Sequence, residues 1–181
     1  MNTTALLNVP ELVAEAKQST DQARNLLLGT FQHVPDDKLT WSPSPAARSA
    51  IQIVAHCGMA NQAFATVLRG EDLPIVSAEE AAQKIREAGR DLTDRDTAVR
   101  LVDSSTEAVL QALDNVTPEM LETSPTSPFG PFPFLFWMKL PGVHMSGHAC
   151  QIDYLQTIWA TWRTTSKVPT ANVKPCIVRL S

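Results

Sequence analysis

Two histidines near the carboxyl end of the sequence, His144 and His148, stand four residues apart in an apolar segment with helical periodicity. On an α-helix this spacing separates the two side chains by about 40° around the axis and roughly 6 Å along it. Both imidazoles can therefore reach one point in space. Such a pair supplies half of a metal site.

A third histidine, His56, lies between Val54 and Met59 on the apolar face of another predicted helix. Three imidazoles buried in one bundle would each have to satisfy two ring nitrogens against apolar neighbours, which is costly. A divalent cation removes that cost, and neutral imidazole suits zinc, nickel, copper or ferrous iron. Three protein ligands with an open fourth position are the catalytic arrangement. Because short motifs often match by chance, the spacing alone leaves open an ordinary core histidine and a solvated histidine pair.

Gln151 is the one candidate for a supporting role. It lies about 60° from His148 around the helix, so it could hydrogen-bond a ligand or bound solvent, or equally be a polar residue at the helix seam. Cys57 and Cys150 project about 100° and about 200° from their neighbouring histidines. With Cys176 they make an odd count without a CxxC pair, so all three are predicted to be reduced, buried thiols rather than ligands.

The sequence identifies no catalytic acid or base. Met145 stands where the general-base glutamate of an HExxH protease motif would be, which argues against protease chemistry. Asp153 is predicted to point about 140° away from the ligand-bearing side of its helix. His33 lies at the end of the first predicted helix, where a histidine suits the carbonyl end of the helix dipole, so a structural role is expected.

Four long amphipathic helices are predicted to position these residues. Apolar side chains recur at helical spacing over about residues 10–33, 49–68, 93–116 and 141–162. A start of the last helix near Phe134 fits the pattern, but Pro141 and Gly142 are expected to kink or restart that helix, so the prediction relies on the part from Pro141 onward. A short polar helix at about 77–88 and a single turn at 117–119 are predicted in the connections.

The long connections before the second and fourth long helices indicate an all-α fold, a four-helix bundle with long crossover connections. A length of 181 residues fits a single domain over 1–181, with 164–181 as an extended C-terminal arm that includes an edge strand at 176–178. The Pro- and Phe-rich stretch 123–140 is predicted to cover the core or a dimer contact, and its alternative role is to wall a substrate pocket. Trp41 is expected to pin the preceding loop to the bundle.

Composition and charge narrow the functional classes. The chain is 44% hydrophobic and 19% charged, with a formal net charge of −4 and no cluster of Lys and Arg, so nucleic-acid binding is not expected. The most apolar run, 132–138, is far shorter than a membrane span. The amino terminus lacks the basic and apolar regions of a signal peptide, so a cytoplasmic location is expected.

Several stretches carry a family resemblance: Asp36–Trp41, Ser44–Pro45, Ala47–His56 and His144–Ile152. These stretches resemble motifs of the DinB-like (DinB/YfiT) metalloenzyme superfamily, and they follow one another in the same order over most of the chain. The resemblance implies a four-helix bundle, usually a homodimer, that binds a divalent metal through one histidine of the second helix and an HxxxH pair of the fourth. Gly147 stands where relatives often have a further histidine. By position, the implied ligands are His56, His144 and His148.

The resemblance also implies a reaction. Relatives with known activity include transferases that use bacillithiol or mycothiol, a mycothiol-dependent isomerase and proposed hydrolases. A metal-dependent thiol S-transferase acting on small electrophiles is therefore implied first, with zinc, nickel or iron as the cofactor. A metal-dependent hydrolase is the alternative enzyme, and a non-catalytic dimer that binds a metal or small ligand is the alternative from another class.

Overall fold

The structure is a computed structural model that describes residues 8–73 and 77–159. Within these ranges the chain forms the helices α1 (Val9–Phe31), α2 (Ala50–Leu68), α3 (Ala78–Glu87), α4 (Arg95–Leu113), α5 (Pro118–Leu121) and α6 (Phe134–Ile158). A short antiparallel pair of strands, β1 (Thr126–Ser127) and β2 (Gly130–Pro131), lies between α5 and α6. The predicted C-terminal arm at 164–181, with its edge strand and Cys176, lies outside the described residues.

The four long helices α1, α2, α4 and α6 form the predicted bundle, so the all-α fold class is confirmed. Helix α1 packs against α4 and α6, and α2 packs against the same two helices, which places α1 and α2 on a diagonal. Two clusters of buried apolar side chains fill the interior, one around Leu27 and Ile152 and the other around Leu68 and Phe134. Within the described ranges, no helix combines the length and the apolar character that crossing a bilayer requires.

Local hydrogen bonds fix where three of the helices begin. At the start of α2 the backbone N–H of Ser49 donates to Gln52 Oε1 at 3.0 Å. At α3 the hydroxyl of Ser77 accepts from the backbone N–H three residues later at 3.1 Å, and at α4 the carboxylate of Asp94 does the same at 2.7 Å. These side chains engage backbone groups that the first turn of a helix leaves free. The predicted starts of α2 and α3 therefore agree with the structure.

Helix α6 differs from the prediction at Pro141. It begins at Phe134, the start that the sequence pattern allowed, and it continues through Pro141 without the restart expected there. A proline inside a helix removes one backbone hydrogen bond and costs about 3 kcal/mol. The side chains of Trp137 and Met145, on either side of the proline, are both buried in the bundle. Packing of both halves therefore outweighs the local loss.

Gly142 allows a close approach between α1 and α6. A Cβ atom at this position would collide with the hydroxyl of Ser19 and lie 3.1 Å from the carbonyl carbon of that residue. A larger residue would therefore push the two helices apart. The position of α6 against α1 sets where the side chains of His144 and His148 lie.

The connection between α1 and α2 is held against the bundle at its start and near its middle. Arg95 of α4 donates to the carbonyl oxygen of Phe31 and to the carboxylate of Asp36, each at 2.9 Å. The ring of Trp41 meets Trp159 edge to face with centroids 5.5 Å apart, and both rings pack against the core. Trp41 thus pins the loop to the bundle, as predicted.

Candidate metal centre

The three histidines singled out from the sequence meet between α2 and α6. Nε2 of His144 lies 3.1 Å from Nε2 of His56 and 3.2 Å from Nε2 of His148. The potential ligand atoms of the three residues all lie within 4.8 Å of one another. Across the part of the chain that the structure describes, this is the one group of three or more His, Cys, Asp or Glu side chains that could hold a metal ion.

His56 is the most enclosed of the three, with 7% of its surface exposed. It belongs to a continuous buried run of α2, residues 53–58. Within that run Gly58 lets α4 approach, because a Cβ atom there would lie 2.6 Å from Leu101 Cγ. Two residues along a helix turn it by about 200°. The contact with α4 on one side therefore directs His56 to the other side, toward α6.

Gln151 orients His148. Its Oε1 accepts a hydrogen bond from His148 Nδ1 at 2.8 Å. Because an amide oxygen can only accept, Nδ1 carries the proton and Nε2 keeps its lone pair for a ligand. This is the supporting contact that the sequence suggested for Gln151, and outer partners of this kind commonly orient histidines that bind metals.

Burial keeps the three imidazoles in the neutral form that binds metals. It lowers the pKa of His56 to about 4, and the positive charge of Arg48 adds to the effect. It lowers the pKa of His144 to about 3, with smaller contributions from the other two histidines and Arg48. Burial also lowers the pKa of His148, although the hydrogen bond to Gln151 acts in the opposite direction.

The cluster fits a metal ion better than it fits a set of hydrogen bonds. Nε2 of His144 faces Nε2 of both other histidines, yet a neutral ring nitrogen offers either one proton or one lone pair. The histidines alone therefore leave a ring nitrogen unsatisfied, which an ion among the three Nε2 atoms would relieve. Ligand nitrogens in a tetrahedral zinc site lie roughly 3.3 Å apart, close to the 3.1 and 3.2 Å found here.

A cavity of about 520 Å³ opens beside His56 and His144. We call it the apolar cavity, because its walls are largely hydrophobic and no carboxylate is among the described residues that line it. Its size suits a small organic molecule. The walls come from α2, α3, the segment 127–132 and the first turns of α6, and they include Met59, Ala63, Phe64, Ile85, Phe136 and Trp137.

The Pro- and Phe-rich stretch fills both of the roles considered from the sequence. Phe134 is buried in the core. Phe129, Phe132 and Phe136 instead line the apolar cavity, and Phe129 is 60% exposed. The rings of Phe132 and Phe136 are stacked with centroids 4.7 Å apart. Most of these rings therefore wall a pocket, which is the role that the sequence pattern favoured less.

A second cavity, of about 920 Å³, opens beside Gln151. We call it the arginine groove, because Arg48, Arg86 and Arg90 line it. None of these arginines was singled out from the sequence. The sequence indicated this groove only weakly. Arg48 lies inside the stretch 47–56 that carries the family resemblance, and the other two arginines are four residues apart around the end of α3. How a short connecting helix packs is not visible in its sequence.

The remaining candidates lie outside the cluster. Cys57 is buried, and burial raises the pKa of its thiol to about 12, as for an inert core residue. Cys150 is exposed and lines the arginine groove, so the prediction that it is buried was wrong. It stands two residues after His148, and the turn of about 200° carries it away from the bundle interior. His33 is exposed beside the end of α1, and Asp153 is exposed and lines neither cavity.

The chain matches a known family over most of its length. The family model of the DinB superfamily matches residues 19–152, about three quarters of the chain. The matched range includes the three histidines, Gln151 and the three arginines of the groove. No curated protein matches the chain.

Proposed function

The chain belongs to the DinB superfamily, and from that premise we propose that its three clustered histidines bind a divalent transition metal. The metal is zinc, nickel or iron, and the activity is metal-dependent transfer of a small thiol to an apolar electrophile. One observation carries the proposal: His56 and His144 belong both to the histidine cluster and to the wall of the apolar cavity. A reactant held in that cavity therefore lies beside the cluster.

Each histidine is held by a different contact. His56 is enclosed by the packing of α2. The ring of His144 meets Phe64 edge to face with centroids 5.5 Å apart, and His148 donates to Gln151. A divalent ion at this site supplies a positive charge that lowers the pKa of a thiol, so that a thiolate nucleophile is available near neutral pH.

The transfer needs no redox partner. A sulfur lone pair of the thiolate forms the new C–S bond, the leaving group departs with its bonding electron pair, and the thiol proton passes to solvent. The walls of the apolar cavity hold the body of the electrophile and exclude water from it. The stacked rings of Phe132 and Phe136 supply flat apolar surface for an aromatic electrophile.

The residues that line the two cavities support hydrolysis less well than thiol transfer. Metal-assisted hydrolysis generally uses a side chain that accepts a proton from the attacking water. Among the described residues that line the two cavities there is no carboxylate. Lys84 lines the apolar cavity, but its ammonium pairs with Glu80 at 2.8 Å and is a donor rather than a base. Attack by a thiolate requires no such base.

Metal analysis and a conjugation assay on the same preparation test the proposal. The protein is purified without chelators and without a histidine tag, and its metal content is measured by mass spectrometry. Monochlorobimane is then offered with a panel of thiols that includes cysteine, mercaptosuccinate, β-mercaptoethanol, bacillithiol and mycothiol. We expect about one metal ion per chain and conjugation well above the uncatalysed rate with at least one thiol.

The possible results separate the alternatives. Bound metal without conjugation of any thiol would favour the non-catalytic binding protein and overturn the transferase. Bound metal with hydrolysis of an ester or amide probe, but no conjugation, would favour the hydrolase. A chain that binds none of zinc, nickel and iron would refute the metal centre itself.

A further inference from the structure

The arginine groove concentrates positive charge on one side of the protein. Three guanidinium groups line it, and no carboxylate is among the described lining residues. The other side chains in its walls are uncharged, and Gln52 and Tyr154 add polar atoms that can hydrogen-bond. A groove lined by one sign of charge attracts ligands of the opposite sign.

The arginines have unused hydrogen-bonding capacity. The Nη2 atom of Arg48 donates to the carbonyl oxygen of Ile85 at 2.7 Å, but its Nε atom is buried without a partner among the described residues. A buried donor without a partner is costly, so the hydrogen bonds that Arg48 makes within the protein are incomplete. Arg86 and Arg90 are exposed, and neither forms an ion pair with a residue in the described ranges.

The groove adjoins the histidine cluster. Gln151 lines the groove and accepts the hydrogen bond of His148 Nδ1, so a single side chain separates the two. Arg48 also lines the groove, together with Gln52 and Ile53 of the helix that carries His56. A molecule bound in the groove can therefore extend toward the cluster past Gln151.

We propose that the arginine groove binds the carboxylate groups of the thiol, so that the co-substrate is an anionic, carboxylate-bearing low-molecular-weight thiol. Guanidinium groups recognise carboxylates through paired, charge-assisted hydrogen bonds. This inference rests on the proposed thiol transfer and adds the chemical class of the thiol. The electrophile then occupies the apolar cavity, whose walls offer nothing to pair with an anion except Lys84.

Calorimetric titration with succinate tests the groove without metal or reaction. Succinate carries the two carboxylates of mercaptosuccinate but no thiol, and it is titrated into metal-free protein. We expect it to bind the unmodified chain, and the double substitution Arg86→Gln with Arg90→Gln to raise its Kd at least tenfold. Arg100→Gln, which removes a 71% exposed arginine on α4, should change that Kd less than twofold. Because all three positions are exposed, the variants are expected to fold, and circular dichroism checks this.

A rate measurement on zinc-loaded protein supplies the second arm. The ratio of kcat/KM for mercaptosuccinate to that for β-mercaptoethanol, each corrected for its uncatalysed rate, should fall at least tenfold in the double variant. An unchanged ratio, or succinate binding that is equal in the double variant and the unmodified chain, would overturn the inference. Inorganic phosphate that binds more tightly than succinate would also overturn it, since the groove would then serve a phosphorylated ligand.

The two arms separate this inference from the function on which it rests. Succinate binding that requires the two arginines, in a protein that conjugates no thiol, would support the groove and refute the transferase. Conjugation at equal rates in the unmodified chain and the double variant would support the transferase and refute the groove.

Discussion

The apolar cavity and the arginine groove border the same histidine cluster and offer opposite surroundings to a ligand. The cavity has about 520 Å³ and touches His56 and His144, with aromatic and aliphatic walls. The groove has about 920 Å³ and reaches the cluster through Gln151, with three guanidinium groups in its walls. The first suits an uncharged organic molecule and the second an anion. Such a pair is what a reaction between two unlike substrates requires.

Helix α3 belongs to both regions. Ile85 lines the apolar cavity and Arg86 lines the arginine groove, because adjacent residues of a helix point about 100° apart. Arg48 fastens α3 to the start of α2 by donating to the carbonyl oxygen of Ile85. The bundle helices thus supply the histidines, whereas the connections supply most of the walls. Connections generally tolerate sequence changes better than a packed core does, so we expect the walls of the two regions to determine which ligands fit.

Removal of one histidine tests the centre that both regions share, and it has the largest expected effect. His148→Ala should weaken zinc binding roughly a hundredfold or more, because it removes one of three ligands and leaves Gln151 nothing to orient. Competition with a chromogenic chelator measures the affinity. Circular dichroism should show an intact bundle, since His148 is only half-buried.

His33→Ala is the matched control. It also removes an imidazole, but one that is exposed beside the end of α1 and outside the cluster. Its zinc affinity should stay within twofold of the unmodified chain. If His148→Ala kept its zinc affinity as the control does, the histidine cluster would not be a metal site. The apolar cavity and the arginine groove would then not adjoin a shared metal centre.

The sequence predicted which three histidines meet, through their helical positions together with the family resemblance. The spacing of His144 and His148 is fixed by helix geometry, so their proximity required no knowledge of the tertiary fold. The place of His56 followed from the apolar face of its helix, since a bundle turns such faces inward. The contact of Gln151 with His148 follows from a spacing of three on one helix in the same way.

The two regions around the centre depend on tertiary packing and were therefore harder to predict from the sequence. The lining of the cavity depends on how the segment 127–132 folds over α2 and α3, which no local pattern specifies. The restart expected at Pro141 was wrong because proline opposes a helix locally, whereas burial on both sides of it stabilises a continuous one. Cys150 was misjudged because cysteine is usually buried, while its position on α6 faces the groove.

Filling the apolar cavity should impair binding of the electrophile without affecting the arginine groove. Ala63→Phe places a ring in a space that Ala63 and Phe64 now border, and it leaves the three histidines unchanged. We expect KM for monochlorobimane to rise at least tenfold, because the added ring occupies the volume that the electrophile needs. Zinc affinity and the Kd of succinate should change less than twofold.

Ala14→Phe controls for the added aromatic ring. Ala14 is exposed on α1 and lines neither region. Its kinetic constants should match those of the unmodified chain. Equal loss of succinate binding and of monochlorobimane turnover in Ala63→Phe would show that the cavity and the groove are a single site rather than two.

Helix α6, which lines both regions, can be displaced by a substitution on the side that faces α1. Gly142→Ala introduces a Cβ that collides with Ser19 on α1, and we expect a net destabilisation of about 1–2 kcal/mol by urea unfolding. The cost arises because α6 must move away from α1, and α6 carries lining residues of both regions. Both the KM for monochlorobimane and the Kd of succinate should therefore rise in this variant.

Gly147→Ala is the matched substitution on the same helix and has the smallest expected effect. Gly147 is exposed, and a Cβ there would meet nothing within 4 Å. Alanine restricts the unfolded chain and favours the helix, so the protein should become more stable by about 0.5–1 kcal/mol. It stands between the two clustered histidines of α6, so zinc affinity should hold if the helix already has the geometry that the proposed metal site needs. A loss of affinity would show instead that the cluster depends on freedom of the backbone at this position, and that α6 is not the rigid wall on which both regions are built.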